Sequence, residues 1–162
     1  MIGIMSDSHD NMEAIKAAVE LFNKKKVKTV LHAGDIISPF TATAFSKLEA
    51  DMYFVFGNND GDRLLLKQKF DEINAECCGD FGDLEIDGKR IALIHGIYEP
   101  PVIAMAESGD FDIVVRGHTH HAGVTKINDT LLINPGETAG VLTGKRTVAL
   151  LDLELGVEII EI

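Results

Sequence analysis

Cysteine and positive charge are both scarce in this 162-residue chain. Only Cys77 and Cys78 occur, and as neighbours they are poorly placed to bond to each other. No CxxC or CxxH spacing surrounds them, so no thiolate metal site is expected, and they read as small apolar residues of a reducing compartment. Lys and Arg total 15 against 26 Asp and Glu, giving a net charge of −11. Long nucleic acids are held by Lys and Arg that displace phosphate counterions, so no nucleic-acid partner is expected. The one basic run, Lys24-Lys25-Lys26, falls near the end of a predicted helix, where cations complement the helix dipole. No apolar stretch approaches the roughly 18 residues that span a bilayer, and no basic segment precedes Ile2-Gly3-Ile4-Met5. The expectation is a cytoplasmic protein without membrane association. Repeats, low-complexity segments and linkers are also missing, which predicts one domain over residues 1–162. With 46% apolar and 25% charged residues, such a domain can bury roughly 70% of its unfolded surface.

What is present is patterned. Residues 1–5 read as a buried strand, and Met12, Ile15, Val19 and Leu21-Phe22 mark the apolar face of a helix over about 11–25. Val27 to His32 and Met52 to Phe56 read as further strands. A helix opens at Ser38-Pro39 and another runs from Leu64 to Phe70. This βαβαβα order predicts parallel strands. The second half has a hairpin turning at Asp87-Gly88, a helix from Pro100-Pro101 to about Ser108, and a strand at Ile113 to Val115. Strands are also expected at 122–127, 131–133, 147–152 and 157–162. Several are short and hairpin-linked, so a second, largely antiparallel or mixed sheet is predicted. Two sheets face to face with helices outside make an α/β, four-layer αββα sandwich.

Five polar clusters punctuate this order: Asp7-Ser8-His9, Gly34-Asp35, Gly57-Asn58-Asn59-Asp60, His95-Gly96 and Gly117-His118-Thr119-His120. Each follows an apolar run of strand length. Each therefore belongs at the carboxyl end of a strand, where open α/β sheets gather ligands. Asp7 and His9, like His118 and His120, are related as i and i+2, so both members of a pair can reach one ion. Oxygen and imidazole donors without thiolate suit Mn²⁺, Fe²⁺, Co²⁺, Ni²⁺ or Zn²⁺. Seven such ligands exceed one tetrahedral ion, and two ions sharing a carboxylate would use them well.

In order and spacing the series resembles the motifs of the calcineurin-like metallophosphoesterase superfamily: D-x-H, G-D, G-N-x-D/E, a lone H and G-H-x-H. The short length and Asn134-Pro135-Gly136 resemble its small bacterial and archaeal phosphodiesterase branch, which is related to the retromer subunit of the same fold. The resemblance implies an αββα sandwich and two divalent ions, with Mn²⁺ the first expectation. Asp7, His9 and His120 would hold the first ion, Asp35 would bridge, and Asn58, His95 and His118 would complete the second. It implies hydrolysis of a small-molecule phosphodiester by hydroxide from a bridging water. Asp60 would orient a neighbouring group.

Two departures stand out. Asn59 occupies a position where many members carry a histidine that protonates the leaving oxygen or clamps the phosphate. Asn can hydrogen-bond a phosphoryl oxygen and cannot act as a general acid near neutral pH, so diesters and aryl esters are favoured over alkyl monoesters. Glu137 stands where the small branch often has serine, and an acid at the cleft mouth would disfavour polyanionic substrates. Asn11 opens the first helix and reads equally as its cap and as a phosphate contact. His32 and His121 hold no motif position and read as structural. The Gly140 to Gly144 segment reads as a turn, since no Walker-type Gly-Lys-Ser/Thr follows. Tyr98, Pro100 and Pro101 offer an apolar contact for a second copy. The competing reading is a scaffold of the same fold with little activity, and a DNA nuclease is disfavoured by the absence of basic surface.

Overall fold

The computed structural model describes residues 1–162. The first sheet has the order β11-β10-β1-β2-β3-β4 and the second β5-β6-β7-β9-β8. In the first, β1 (Ile2–Met5), β2 (Thr29–His32), β3 (Asp51–Phe54) and β4 (Ala75–Cys77) run parallel. β10 (Thr147–Asp152) pairs antiparallel with β1, and β11 (Gly156–Glu161) pairs antiparallel with β10. In the second sheet β6 (Lys89–Ile94), β7 (Ile113–Val115) and β9 (Thr130–Asn134) are parallel. β5 (Phe81–Ile86) and β8 (Gly123–Ile127) close the edges antiparallel.

The layers follow from which residues each strand turns to each side. Ile2 and Ile4 of β1, Leu31 of β2, Leu93 of β6 and Val115 of β7 share the core between the sheets. Val30, Met52 and Phe54 face the other way, onto Ile15, Val19 and Phe22 of α1 (Met12–Lys24), Phe45 of α2 (Ala42–Phe45) and Phe70 of α3 (Arg63–Asp71). On the far side of the second sheet, Ala92 and Val114 meet Val102 and Ala106 of α4 (Glu99–Ser108). Two mixed sheets flanked by four helices make the α/β sandwich expected above. No helix is long and apolar enough to cross a membrane.

Three strands depart from the sequence expectation. The last two strands join the first sheet. The run Thr147-Val-Ala-Leu-Leu is buried throughout, which suits a strand covered on both faces: Val148 and Leu150 meet the helices while Ala149 and Leu151 meet the second sheet. β4 was not foreseen, because three residues are too few to establish an alternation. Cys77 and Cys78, at its end, are unbonded and partly buried, packing against the helix-side and sheet-to-sheet cores respectively. Burial raises both thiol pKa values, Cys78 to about 11.

Candidate metal centre

Because β1, β2 and β3 are parallel, as are β6, β7 and β9, the segments leaving their carboxyl ends gather at one end of the sandwich. Asp7 and His9 follow β1, Asp35 follows β2, Asn58 follows β3, His95 follows β6, and His118 and His120 follow β7. Backbone bonds tie these loops together: Asp7 N–H donates to Gly34 O, His9 N–H to Asp35 O, and Gly117 N–H to His95 O. Asp7, His9, Asp35, His118 and His120 all have positive φ, between 40° and 67°. Left-handed backbone is strained for L-residues by about 1–2 kcal/mol, and such strain collects at sites whose geometry the surroundings over-determine. Gly57 shows the crowding. A Cβ there would collide with the Asp35 carboxylate.

Two groups of donors converge, Asp7 with His9 and His120, and Asp7 with Asp35 and His95. His120 Nε2 lies 3.4 Å from Asp7 Oδ1, His9 Nε2 lies 3.8 Å from it, and both His9 and His95 turn Nε2 toward Asp35 Oδ2, at 3.6 and 3.5 Å. These spacings are long for hydrogen bonds. They match the edges of a coordination sphere with bonds of about 2.0–2.2 Å. Asp7 Oδ1 and His9 Nε2 are buried without any hydrogen-bond partner, a costly state that a cation would relieve. At His95, Nδ1 lies 2.7 Å from the carbonyl of Ala33 and must donate to it. Nε2 then presents a lone pair to Asn58 Oδ1 at 3.0 Å. Lone pairs converging from Asn58, His95 and Asp35 fit a divalent ion. His118 enters neither group: its ring packs edge-on against His95 at 5.1 Å, while its N–H donates to Asp7 Oδ2.

The carboxylates are held by partners that leave one oxygen free or lower the proton affinity. Ser6 Oγ and His118 N–H occupy Asp7 Oδ2, turning Oδ1 inward. Asp35 accepts from Asn59 N–H and from Asn59 Nδ2. Burial alone would raise the Asp35 pKa. The neighbouring His95 and the hydrogen bonds from Asn59 outweigh it and hold the carboxyl well below the usual range. His9 is raised, chiefly by its contact with Asp7; His95 is raised because Asp35 outweighs burial. His118 is lowered by burial and by the neighbouring His95.

Asp60 accepts backbone N–H bonds from Asp35, Ile37 and Gly57. It braces two ligand loops against each other and offers no free oxygen to substrate, so its place is that of a positioning residue. Asn59 directs its amide at Asp35. Asn11 stands apart from the cluster, capping α1 through Ala14 N–H and donating to Ala139 O. Both polar ends of the Asn11 amide are thus engaged within the fold, as the cap reading requires. Glu137 corrects the expectation of an acid at the cleft mouth. It is fully buried and accepts from His120 Nδ1 at 2.7 Å, from the N–H groups of Leu142 and Thr143, and from Thr143 Oγ1. Burial opposes its ionisation, but these bonds bring its pKa down to about 2. The 137–143 turn thus serves His120.

Two positioning residues had no motif to announce them. His32 is fully buried, accepts Gly34 N–H at Nδ1 and therefore donates from Nε2 to Ser8 Oγ, linking the first two loops. Arg116 is buried, pairs with Glu99, and donates to the carbonyls of Gly96 and Gly117, joining the His95 and His118 loops. A charged residue ending the apolar run Ile113-Val114-Val115 was its only sequence signal.

The model of the calcineurin-like phosphoesterase superfamily domain matches residues 1–156. A phosphodiesterase of Methanocaldococcus jannaschii is 42% identical over 154 residues, 94% of this chain and 93% of that protein. Among solved structures, an archaeal phosphodiesterase has a TM-score of 0.95 at 40% identity, covering 99% of both chains. A single mutant of Vps29 from Entamoeba histolytica shares the fold, with a TM-score of 0.71 at 18% identity over 99% of this chain and 97% of its own.

Proposed function

The chain belongs to the calcineurin-like phosphoesterase superfamily as a phosphoric diester hydrolase, and from that premise we propose that it cleaves a small-molecule phosphodiester with two divalent ions bridged by Asp35. The observation that carries this reading is the convergence of Asp7 Oδ1, Asp35 Oδ2 and the Nε2 atoms of His9, His95 and His120, with Asp7 Oδ1 and His9 Nε2 buried and without a hydrogen-bond partner. Asp7, His9 and His120 form the first ligand set, and Asn58, His95 and His118 the second. Mn²⁺ is the leading candidate, with Ni²⁺, Fe²⁺, Co²⁺ and Zn²⁺ sharing its ligand preferences. The chemistry two such ions supply when bound is charge stabilisation on the phosphoryl oxygens and an activated water near neutral pH.

The chain's own residues prepare that site. Glu137 and the Ala33 carbonyl fix the protons of His120 and His95 on Nδ1, leaving each Nε2 as a donor to the centre. Asn59 steadies Asp35 and carries no transferable proton, so the leaving oxygen departs without a general acid from this position. Aryl esters and diesters are therefore the favoured substrates and alkyl monoesters poor ones. Nucleic acid is not a partner in this reading, and one metallophosphoesterase domain spans residues 1–162.

The test is hydrolysis of bis(4-nitrophenyl) phosphate by protein loaded with Mn²⁺ or Ni²⁺. Turnover is expected in the native chain, with a loss of at least about 100-fold in His95→Ala and in Asp35→Asn, the scale seen when a key charge-stabilising group is removed. Absence of turnover in the loaded native protein would favour a scaffold role.

A further inference from the structure

Beside the ligand cluster, on the His95 side, lies a cavity of about 210 Å³. Phe56, Ile94, Ile97, Tyr98 and Pro101 supply its apolar walls, and Arg63 closes one side. His95 belongs to both features. Its Nε2 faces Asp35 and Asn58, and the residue also lines the cavity. The sequence explains the adjacency: Phe56 directly precedes Gly57-Asn58, and Ile97-Tyr98 directly follow His95-Gly96. Two of the three loops that carry second-set ligands therefore also build the cavity.

The lining is unusual for the surface of so acidic a chain. Tyr98 is 73% exposed and Ile97 is 44% exposed, an apolar rim that water solvates poorly. Arg63 lies over the Phe56 ring, 4.9 Å from its centroid. Its guanidinium is fixed by Asp80 at 2.7 Å and by the carbonyls of Gly57 and Asp60. With Asp80 matching its charge, Arg63 does not make this an anion site; it presents a flat, ordered surface instead. The volume lies below the roughly 300–1,000 Å³ of drug-sized pockets, which suits a single ring.

We propose that this cavity is the subsite for an organic arm of the phosphodiester and that it selects a single aromatic ring. The proposal rests on the ligand cluster being the phosphoryl site. An ester whose phosphoryl group sits there extends its substituent past His95 into the cavity, where Tyr98 and Phe56 supply the ring contacts.

Phosphonates test it without turnover, because their C–P bond is not an ester. Calorimetry of Mn²⁺-loaded protein should give phenylphosphonate an affinity about tenfold above methylphosphonate, the return expected for burying one aromatic ring among others. Tyr98→Ala should collapse that ratio toward one, and Tyr98→Phe should restore it. Leu155→Ala, whose side chain is 89% exposed in the turn between β10 and β11, should leave it unchanged. Equal affinities in the native protein would overturn the subsite while leaving the phosphoryl site intact. Failure of both phosphonates to bind would overturn the phosphoryl site and the subsite together. A concentration-dependent dimer abolished by Tyr98→Ala, with the ratio unchanged, would assign this face to a second copy of the chain and overturn the subsite.

Discussion

Glu137 has its two oxygens shared among His120, Leu142 and Thr143, so its charge is committed inside the fold before any substrate arrives. A carboxylate behind a ligating imidazole fixes the tautomer and raises ligand basicity, and losing such a partner typically weakens metal binding by roughly 10–100-fold. Glu137→Gln should therefore weaken the tighter Mn²⁺ site by about that factor in a calorimetric titration of folded protein. An unchanged affinity would reduce Glu137 to a turn-stabilising residue. The sequence marked this position as a departure and misjudged its direction, because the turn that carries Glu137 back under His120 is set by contacts with Ser6 and Asp7: Thr138 N–H donates to Ser6 O and Ala139 N–H to Asp7 O. Asn59 has no acidic proton, as its residue type implies, and it directs its amide at Asp35, which no single-sequence pattern could tell.

At the level of elements, the pieces read correctly were those with a strong period or turn signal: β1, α1, the Asp87-Gly88 hairpin and the strand before His118. Those missed were short or depended on partners far along the chain, such as β4 and the return of β10 to β1. The ligand loops lie between these cases. Their residue types were plain from the sequence, whereas their left-handed backbones and the buried residues that hold them were not. His32 is such a holder and carries a pH signature. Burial pushes its pKa from 6.5 down to about 3, so between those values the unfolded chain binds a proton that the folded chain refuses. Its contribution to stability is complete above pH 6.5 and declines as pH falls toward 3. In metal-free protein, the melting-temperature advantage of the native chain over His32→Gln should narrow between pH 7.5 and 5. His9 and His95, whose pKa values are raised, act in the opposite sense and are common to both proteins. A constant difference over that range would contradict the role given to His32.

For the whole molecule, the sandwich brings two independent parallel strand sets into register at one end. Sequence order alone shows five ligand-bearing strand ends. Only the packing of the first sheet on the second, with His95 of one sheet bonded to Ala33 of the other, makes them one site. Asp35 is the hinge of that claim, since its Oδ2 faces His9 on one side and His95 on the other. The most direct measurement is an anomalous difference map from a crystal of the Mn²⁺-loaded protein. Two peaks about 3.5–4 Å apart, one on each side of Asp35 Oδ2, are the predicted result. A single peak, or two peaks that do not share Asp35, would contradict it.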